Sequence, residues 1–463
     1  MLQKFKRAFI GDKNFYKMAL AIAIPIMIQN GITNFVSMLD NIMVGNVGTV
    51  QMTGVAISNQ LIFIFNLAIF GATAGAGIFG AQFYGKGDHD GVRNAFRFKL
   101  MIASVISLLA LGVFWSFGED FIMLFLLGEG EVENIELSLR YGVSYLRISL
   151  IGLIPFALSQ CYSSTLRECG ETLLPMKAGI IAVIVNLAGN ALLIFGLFFF
   201  PELGADGAAW ATVISRFVEM LIVIFWTHRH SDRFTFIKGA LRSFRVPGEL
   251  VFSILKKGLP LIANETLWAL SIALLNQCYS LRSYDAVSAT NICSTLNNVM
   301  SISFMALGNA IAIIVGQQLG AGKNEEAIDT ANKLSAFATA CGVVFGILMS
   351  TIAPFFPLIY DTTDSIRALA TELILVMALR MPISALALAC YFTLRSGGRA
   401  FLTVLLDSGY ACAFIYPITL CLALFTDIPL VTLFLISQML EIGKCILGSI
   451  MMKKRIWVRN IVN

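Results

Sequence analysis

Charge is what this chain has least of. Of its 463 residues, 13% are charged and 57% are hydrophobic, with a mean hydropathy of +0.80. Soluble domains carry about 25% charge, so a soluble fold with this much apolar surface is excluded. No Lys or Arg occurs between Lys17 and Lys86. The three histidines, His89, His228 and His230, all lie in polar stretches, which excludes an intramembrane Ser/His/Asp constellation and argues against a buried histidine relay. The nine cysteines form no C-x-x-C pair, so neither a metal site nor a disulfide framework is indicated. There is no Walker A motif, so ATP-driven transport would need a partner. A cleavable signal peptide is not expected either, because the first apolar run is too long and lacks a small-residue cleavage site.

What remains is an all-α polytopic membrane protein. A bilayer crossing takes about 20 apolar residues. The apolar runs give twelve spans, at about 18–43, 52–79, 96–117, 138–165, 176–199, 207–227, 251–278, 287–315, 332–355, 368–393, 400–425 and 429–452. The charges between them alternate. Lys4, Lys6, Arg7, Lys13 and Lys17 precede span 1, and Lys453, Lys454, Arg455 and Arg459 follow span 12. Basic connections also follow spans 2 (Lys86, Arg93, Arg97, Lys99), 4 (Arg167, Lys177), 6 (Arg229 to Lys257), 8 (Lys323, Lys333) and 10 (Arg395, Arg399). The intervening connections are neutral or acidic, apart from Arg140, Arg282 and Arg367. Positive charge stays inside, so both termini are expected in the cytoplasm and the protein in the plasma membrane.

The organising stretch is 30–45, NGITNFVSMLDNIMVG. At 100° per residue, Asn30, Thr33, Ser37 and Asp40 fall within about 80° on one helix face. A carboxylate facing lipid is costly, so the stripe should face protein or a wet cavity. Packing alone would also hold such an acid; the functional reading is the default for ionisable groups inside membranes.

The chain repeats itself. Pro25 matches Pro260, and Gln82-x-x-Gly85-x-Gly87 matches Gln317-x-x-Gly320-x-Gly322, both at an offset of 235. Thr165-Leu166-Arg167-x-x-Gly170 matches Thr393-Leu394-Arg395-x-x-Gly398, and Ser215-x-x-x-Glu219 matches Ser437-x-x-x-Glu441. The order is kept throughout. The expected organisation is a six-helix lobe over 1–228, a basic cytoplasmic linker over 229–250 and a second lobe over 251–463. Six spans per half make the repeat parallel, which places a site centrally between pseudo-symmetric lobes. The prolines and the glycines 85, 87, 320 and 322 read as hinge and turn elements. The basic linker reads equally as a surface for anionic lipid.

With these motifs, and with Gly207-Ala208-Ala209-x-Ala211-Thr212, the chain resembles the multidrug and toxic compound extrusion family over all twelve spans. The resemblance implies two six-helix lobes around a central cleft, alternating access, and export of organic cations or drugs in exchange for H⁺ or Na⁺. It implies no enzyme activity and no cofactor beyond the coupling ion.

Depth along the helices identifies candidate groups. Asp40 lies roughly 30 Å from the start of span 1, and Asn190 roughly 20 Å above Lys177. Asn186 lies one turn before Asn190, and Thr212 about 8 Å inside span 6. The resemblance implies that Asp40, Asn186, Asn190 and Thr212 form the ion-coupling pocket, able to take Na⁺ as well as a proton. The asparagines read equally well as interhelical glue worth about 1 kcal/mol each. Asn30, Ser37 and Glu265 are the candidate substrate contacts. Related transporters pair the Glu265 position with an acid on helix 10; Ser384 stands near that place, so Glu265 is expected to attract a cationic substrate rather than to couple ions. Asp407 lies about 12 Å into span 11, without an assigned role. Arg147, Glu219, Arg380, Glu441 and Lys444 are expected to snorkel or to pair across lobes. The alternative function is a flippase for lipid-linked precursors, which should line its cavity with Arg or Lys. The expected partners are membrane lipids and small organic cations, with no nucleic acid, and the protein is expected to work as a monomer.

Overall fold

The computed structural model describes residues 9–45, 47–126, 132–198, 200–360 and 362–463, with the side chains of 36–38, 41, 42, 132, 133 and 284 left out. Lys4, Lys6 and Arg7 lie outside the described residues, as do parts of three of the neutral or acidic connections. Among the described residues there is no strand. Eleven helices are long and apolar enough to cross a membrane, and one bent pair counted as a single span makes twelve. Without water to satisfy peptide groups, the apolar runs close their own hydrogen bonds as helices.

The helices are α1 Lys13–Gly45, α2 Thr49–Lys86, α3 His89–Leu126, α4 Val132–Leu150, α5 Leu153–Glu168, α6 Leu173–Ile194 and α7 Gly204–Arg229. Then come α8 Gly248–Ser280, α9 Tyr284–Gly320, α10 Asn324–Ile352, α11 Asp364–Ser396, α12 Ala400–Val404, α13 Tyr416–Phe425, α14 Leu430–Met439 and α15 Ile442–Lys453. Pro25 and Pro260 sit inside the unbroken helices α1 and α8.

Three spans depart from straight helices. The fourth, expected to run through 138–165, bends by 47° between α4 and α5. Pro155 explains it: the ring has no N–H and excludes the carbonyl of residue 151. The chain tightens there instead, with Ile151 N–H donating to Ile148 and Gly152 N–H to Ser149, at 3.1 and 2.9 Å. The eleventh span widens into π turns at Leu405–Gly409 and Ala411–Ile415; Pro417 displaces the carbonyl four residues before it. The twelfth span is irregular at Leu440 and Glu441. Helices also run past the apolar runs. Lys99, expected in a connection, is fully buried within α3.

Two compact units form. One contains Ile28–Gly80 and His89–Ile254; the other contains the described part of Met1–Met27, Ala81–Asp88 and Leu255–Asn463. The packing boundaries therefore differ from contiguous lobes of 1–228 and 251–463. Ala19 and Ala23 belong to the same core as Leu307, Ile311 and Leu394, which ties the start of α1 to the second unit. The Ala81–Asp88 turn follows because Gly85 meets α9: a Cβ there would stand 1.9 Å from the Gln317 carbonyl oxygen. Residues 229–250 pack as part of the first unit. Phe234, Phe236, Ile237 and Ala240 are buried, and Arg97 donates to the carbonyls of Ala240 and Gly239 at 2.9 and 2.8 Å.

Candidate ion-coupling site

In the first unit, α1, α6 and α7 bring Asp40, Asn186, Asn190 and Thr212 together. Asn186 and Asn190 lie one turn apart on α6 and are buried, and Gly189 between them lets α6 approach α7: a Cβ on Gly189 would sit 2.9 Å from the Ala211 side chain. Asn190 Nδ2 donates to Asp40 Oδ1 at 2.5 Å. One amide atom of Asn186 lies 3.0 Å from Asp40 Oδ1 and 3.3 Å from Oδ2, and its other amide atom lies 3.2 Å from Thr212 Oγ1. Asn190 Oδ1 is buried and accepts no hydrogen bond from a described residue. A carboxylate, two amides and a hydroxyl are thus assembled from three helices, from residues up to 172 positions apart.

Along the α1 stripe, Asn30 is half-buried and makes no hydrogen bond to this group of four among the described residues. Thr33 is exposed and its hydroxyl turns back to the Gln29 carbonyl at 2.9 Å. The Ser37 side chain lies outside the described residues. Gln29, also on α1, is buried and accepts from Arg167 Nη2 at 2.7 Å. Sequence periodicity gave no sign of that pair. Arg216 was also missed. It lies one turn beyond Thr212 on α7, 3.6 Å from Glu219 and stacked over Phe156 at 4.7 Å. Arg147 stacks on Trp115 at 5.8 Å.

The second unit holds a different arrangement. Asp407, in the first π turn, accepts from Lys444 at 3.0 Å and from Asn264 at 3.2 Å. Glu441, in the irregular turn of span 12, is gripped by Arg380 through both oxygens at 2.7 and 3.0 Å and accepts from Ser384 at 3.3 Å. Ser408 donates to Asn264 at 2.7 Å. Two acids and two bases compensate one another inside one unit, which corrects the expected pairing across lobes. The acid near Ser384 comes from span 12, not helix 10, and a guanidinium already holds it. Glu265, beside Asn264 on α8, is half-buried and makes no hydrogen bond or ion pair with a described residue.

The glycine motifs serve the backbone in two ways. Gly87 and Gly322 take φ of +79° and +75°, a region that L residues with a Cβ rarely adopt. Gly85 and Gly320 are close-approach positions.

The sequence model of the family described as MatE matches residues 25–192 and 260–406. These segments cover most of both repeats. The chain belongs to the MatE family. It is therefore a multi-pass membrane transporter of the multidrug-efflux type and not an enzyme. It is similar to the probable multidrug resistance protein NorM of Thermotoga maritima, 26% identical over 338 residues, or 72% of this chain and 69% of that one. The probable NorM of Agrobacterium fabrum is 25% identical over 348 residues, 73% and 71% of the two chains. Among solved structures, an outward-facing multidrug resistance MATE transporter of the MOP superfamily superposes with a TM-score of 0.86 at 16% identity, over 96% of each chain. A MATE structure in the bent conformation gives 0.85 at 17% identity, over 95% of each. At such identities the likeness establishes the MatE fold.

Proposed function

We propose that this MatE protein exports organic cations in exchange for protons by alternating access, with Asp40 as the coupling group. One observation carries the choice of ion. Asn186 bridges Asp40 and Thr212, and its amide can lie either way round. With Asp40 ionised, Asn186 donates to the carboxylate and accepts from Thr212. With Asp40 protonated, the acid donates to the Asn186 oxygen and the amide N–H turns to Thr212. Both states satisfy the trio, so proton loading costs no buried polar group its partner. Binding that differs between two lobe arrangements then shifts their populations.

Sodium is the second reading, supported by Asn190 Oδ1, a buried acceptor with no donor among the described residues. With the Asp40 carboxylate, the Asn186 carbonyl and Thr212 it offers the oxygen ligands a hard cation takes. The cationic substrate class is supported by the carboxylate of Glu265, which makes no ion pair among the described residues; the names of the relatives support multidrug transport. A flippase for lipid-linked precursors is less well supported, since Arg380 and Lys444 are already neutralised by Glu441 and Asp407. The protein is read as a monomer among membrane lipids in the plasma membrane, with both termini cytoplasmic and no nucleic-acid partner. Purified protein in liposomes, given a pH gradient or a Na⁺ gradient separately, tests the reading through efflux of a fluorescent organic cation. A proton gradient should suffice. Efflux driven by Na⁺ alone would move the assignment to the second ion, and efflux driven by neither would overturn both.

A further inference from the structure

The connection between the repeats is a folded element. Past Arg229 it makes two short turns, Thr235–Ile237 and Ala240–Arg242. Phe236 is buried edge-on against Phe96, with ring centroids 5.5 Å apart. Arg93 Nε donates to the Phe236 carbonyl at 3.1 Å, and Arg97 holds the carbonyls of Gly239 and Ala240. These bonds fix the backbone around a cleft of about 350 Å³, whose polar lining is His228, Ser231, Lys238 and Arg242.

The charge of this cleft is one-sided. From His228 to Pro247 the sequence has one acid, Asp232, against Arg229, Arg233, Lys238, Arg242 and Arg245. Arg233 is engaged with Glu171 at 3.1 Å, and Lys238 with the exposed Asp232 at 2.5 Å. The Arg242 guanidinium and the Ser231 hydroxyl have no hydrogen-bond partner among the described residues. His228 Nε2 lies 3.2 Å from the Tyr162 hydroxyl. On either side of Arg242, Leu241 and Phe244 are about half exposed, at 51% and 50%. A planar guanidinium, an ammonium and a hydroxyl around one opening match the oxygens of a phosphate group. Exposed apolar side chains beside that opening suit acyl chains at an interface.

We propose that this cleft binds a phosphate-bearing anion, with Arg242, Lys238 and Ser231 as its donors. Two sources share that chemistry: the headgroup of an anionic phospholipid and free phosphate. The inference does not depend on the ion-coupling reading.

Full-length protein in detergent, titrated with phosphatidylglycerol, phosphatidylcholine or inorganic phosphate and weighed by native mass spectrometry, tests it. Phosphatidylglycerol should be retained over phosphatidylcholine. Lys238→Ala with Arg242→Ala should weaken that retention about tenfold, the size expected for lost charge-assisted hydrogen bonds. Both side chains are exposed, so the substitutions leave the packing intact. Asp232→Ala, which frees Lys238, should tighten retention. If inorganic phosphate binds on its own and displaces the lipid, free phosphate is the occupant. Equal retention of both lipids by wild type and the double variant, with no phosphate bound to either, would overturn the proposal.

Discussion

Gly85 and Gly320 are reciprocal contacts of the two repeats. A Cβ on Gly85 would stand 1.9 Å from the Gln317 carbonyl oxygen, and one on Gly320 would stand 1.9 Å from the Gln82 carbonyl oxygen. Each motif's glycine seats the other motif's glutamine. The Gln82 side chain then ties the end of α11 to the C-terminal segment, donating to the Ser396 carbonyl at 2.9 Å and the Arg459 carbonyl at 3.2 Å and accepting from Ile461 N–H at 2.9 Å. A repeat visible only as spacing in the sequence is thus a physical contact between its copies.

A methyl group at Gly85 has a backbone carbonyl to displace, which no rotamer change relieves. Gly85→Ala should destabilise the protein by about 3 kcal/mol, the upper range for overpacking. Gly87→Ala meets open space and only the strain of positive φ, about 1 kcal/mol. Melting of the purified transporter, followed by size-exclusion chromatography, should rank Gly85→Ala well below Gly87→Ala. The opposite ranking would show that backbone strain, not close approach, makes these positions glycine.

Lys444 joins Asp407 at 3.0 Å and stands 4.0 Å from Glu441. Lys444 is buried and Asp407 partly so; removing the lysine leaves the carboxylate uncompensated, which costs up to about 3 kcal/mol. Lys444→Met should therefore lower the melting point sharply, and Lys444→Met with Asp407→Asn should recover much of the loss. A double variant as unstable as the sum of the single changes would mean that the two groups do not act as a pair.

The chain's legibility follows the physics of each feature. Span number was readable because hydrocarbon excludes charge, and apolar length and loop charge record that directly. Asp40, Asn186, Asn190 and Thr212 could be placed at one depth because a fixed rise per residue converts sequence distance into height. Depth does not give rotation between helices. The Arg167–Gln29 bond, the Asp407–Lys444 pair and the placement of Arg216 depend on rotation and stayed hidden. The α4–α5 bend had a written cause in Pro155, passed over because hydropathy continues across it. The linker's fold-back rests on Arg93 and Arg97 reaching backbone carbonyls, and no residue pattern announces a carbonyl.

Glu265 is half-buried and makes no ion pair among the described residues, while Asp407 and Glu441 in the same unit are held by Lys444 and Arg380. A lone carboxylate is suited to attract a cation, and its neutralisation should be felt most by charged substrates. Glu265→Gln should raise the concentration needed for half-maximal export of cationic dyes several-fold, about 1 kcal/mol of lost attraction, while leaving the gradient requirement unchanged. Unaltered dye affinity with loss of gradient-driven export of every substrate would make Glu265 a coupling group instead.

Asp40→Asn tests the proposed coupling role of Asp40 most directly. Asparagine keeps the size of the acid and its acceptor for Asn190, so the packing of α1 on α6 survives. Its amide N–H takes the place of the proton on a protonated Asp40 and donates to Asn186, which turns its own N–H to Thr212. The trio is then held in the proton-loaded arrangement and cannot release an ion to drive the return step. Folded protein should reach the membrane at normal levels, while efflux driven by an imposed gradient is abolished. Thr212→Val removes one interhelical hydrogen bond of about 1 kcal/mol and Asn186→Leu removes two, so their effects should be about fivefold and about thirtyfold and appear as a changed dependence on the external ion. An Asp40→Asn transporter exporting a fluorescent cation at the wild-type rate, under both a pH and a Na⁺ gradient, would place the coupling group elsewhere in the chain.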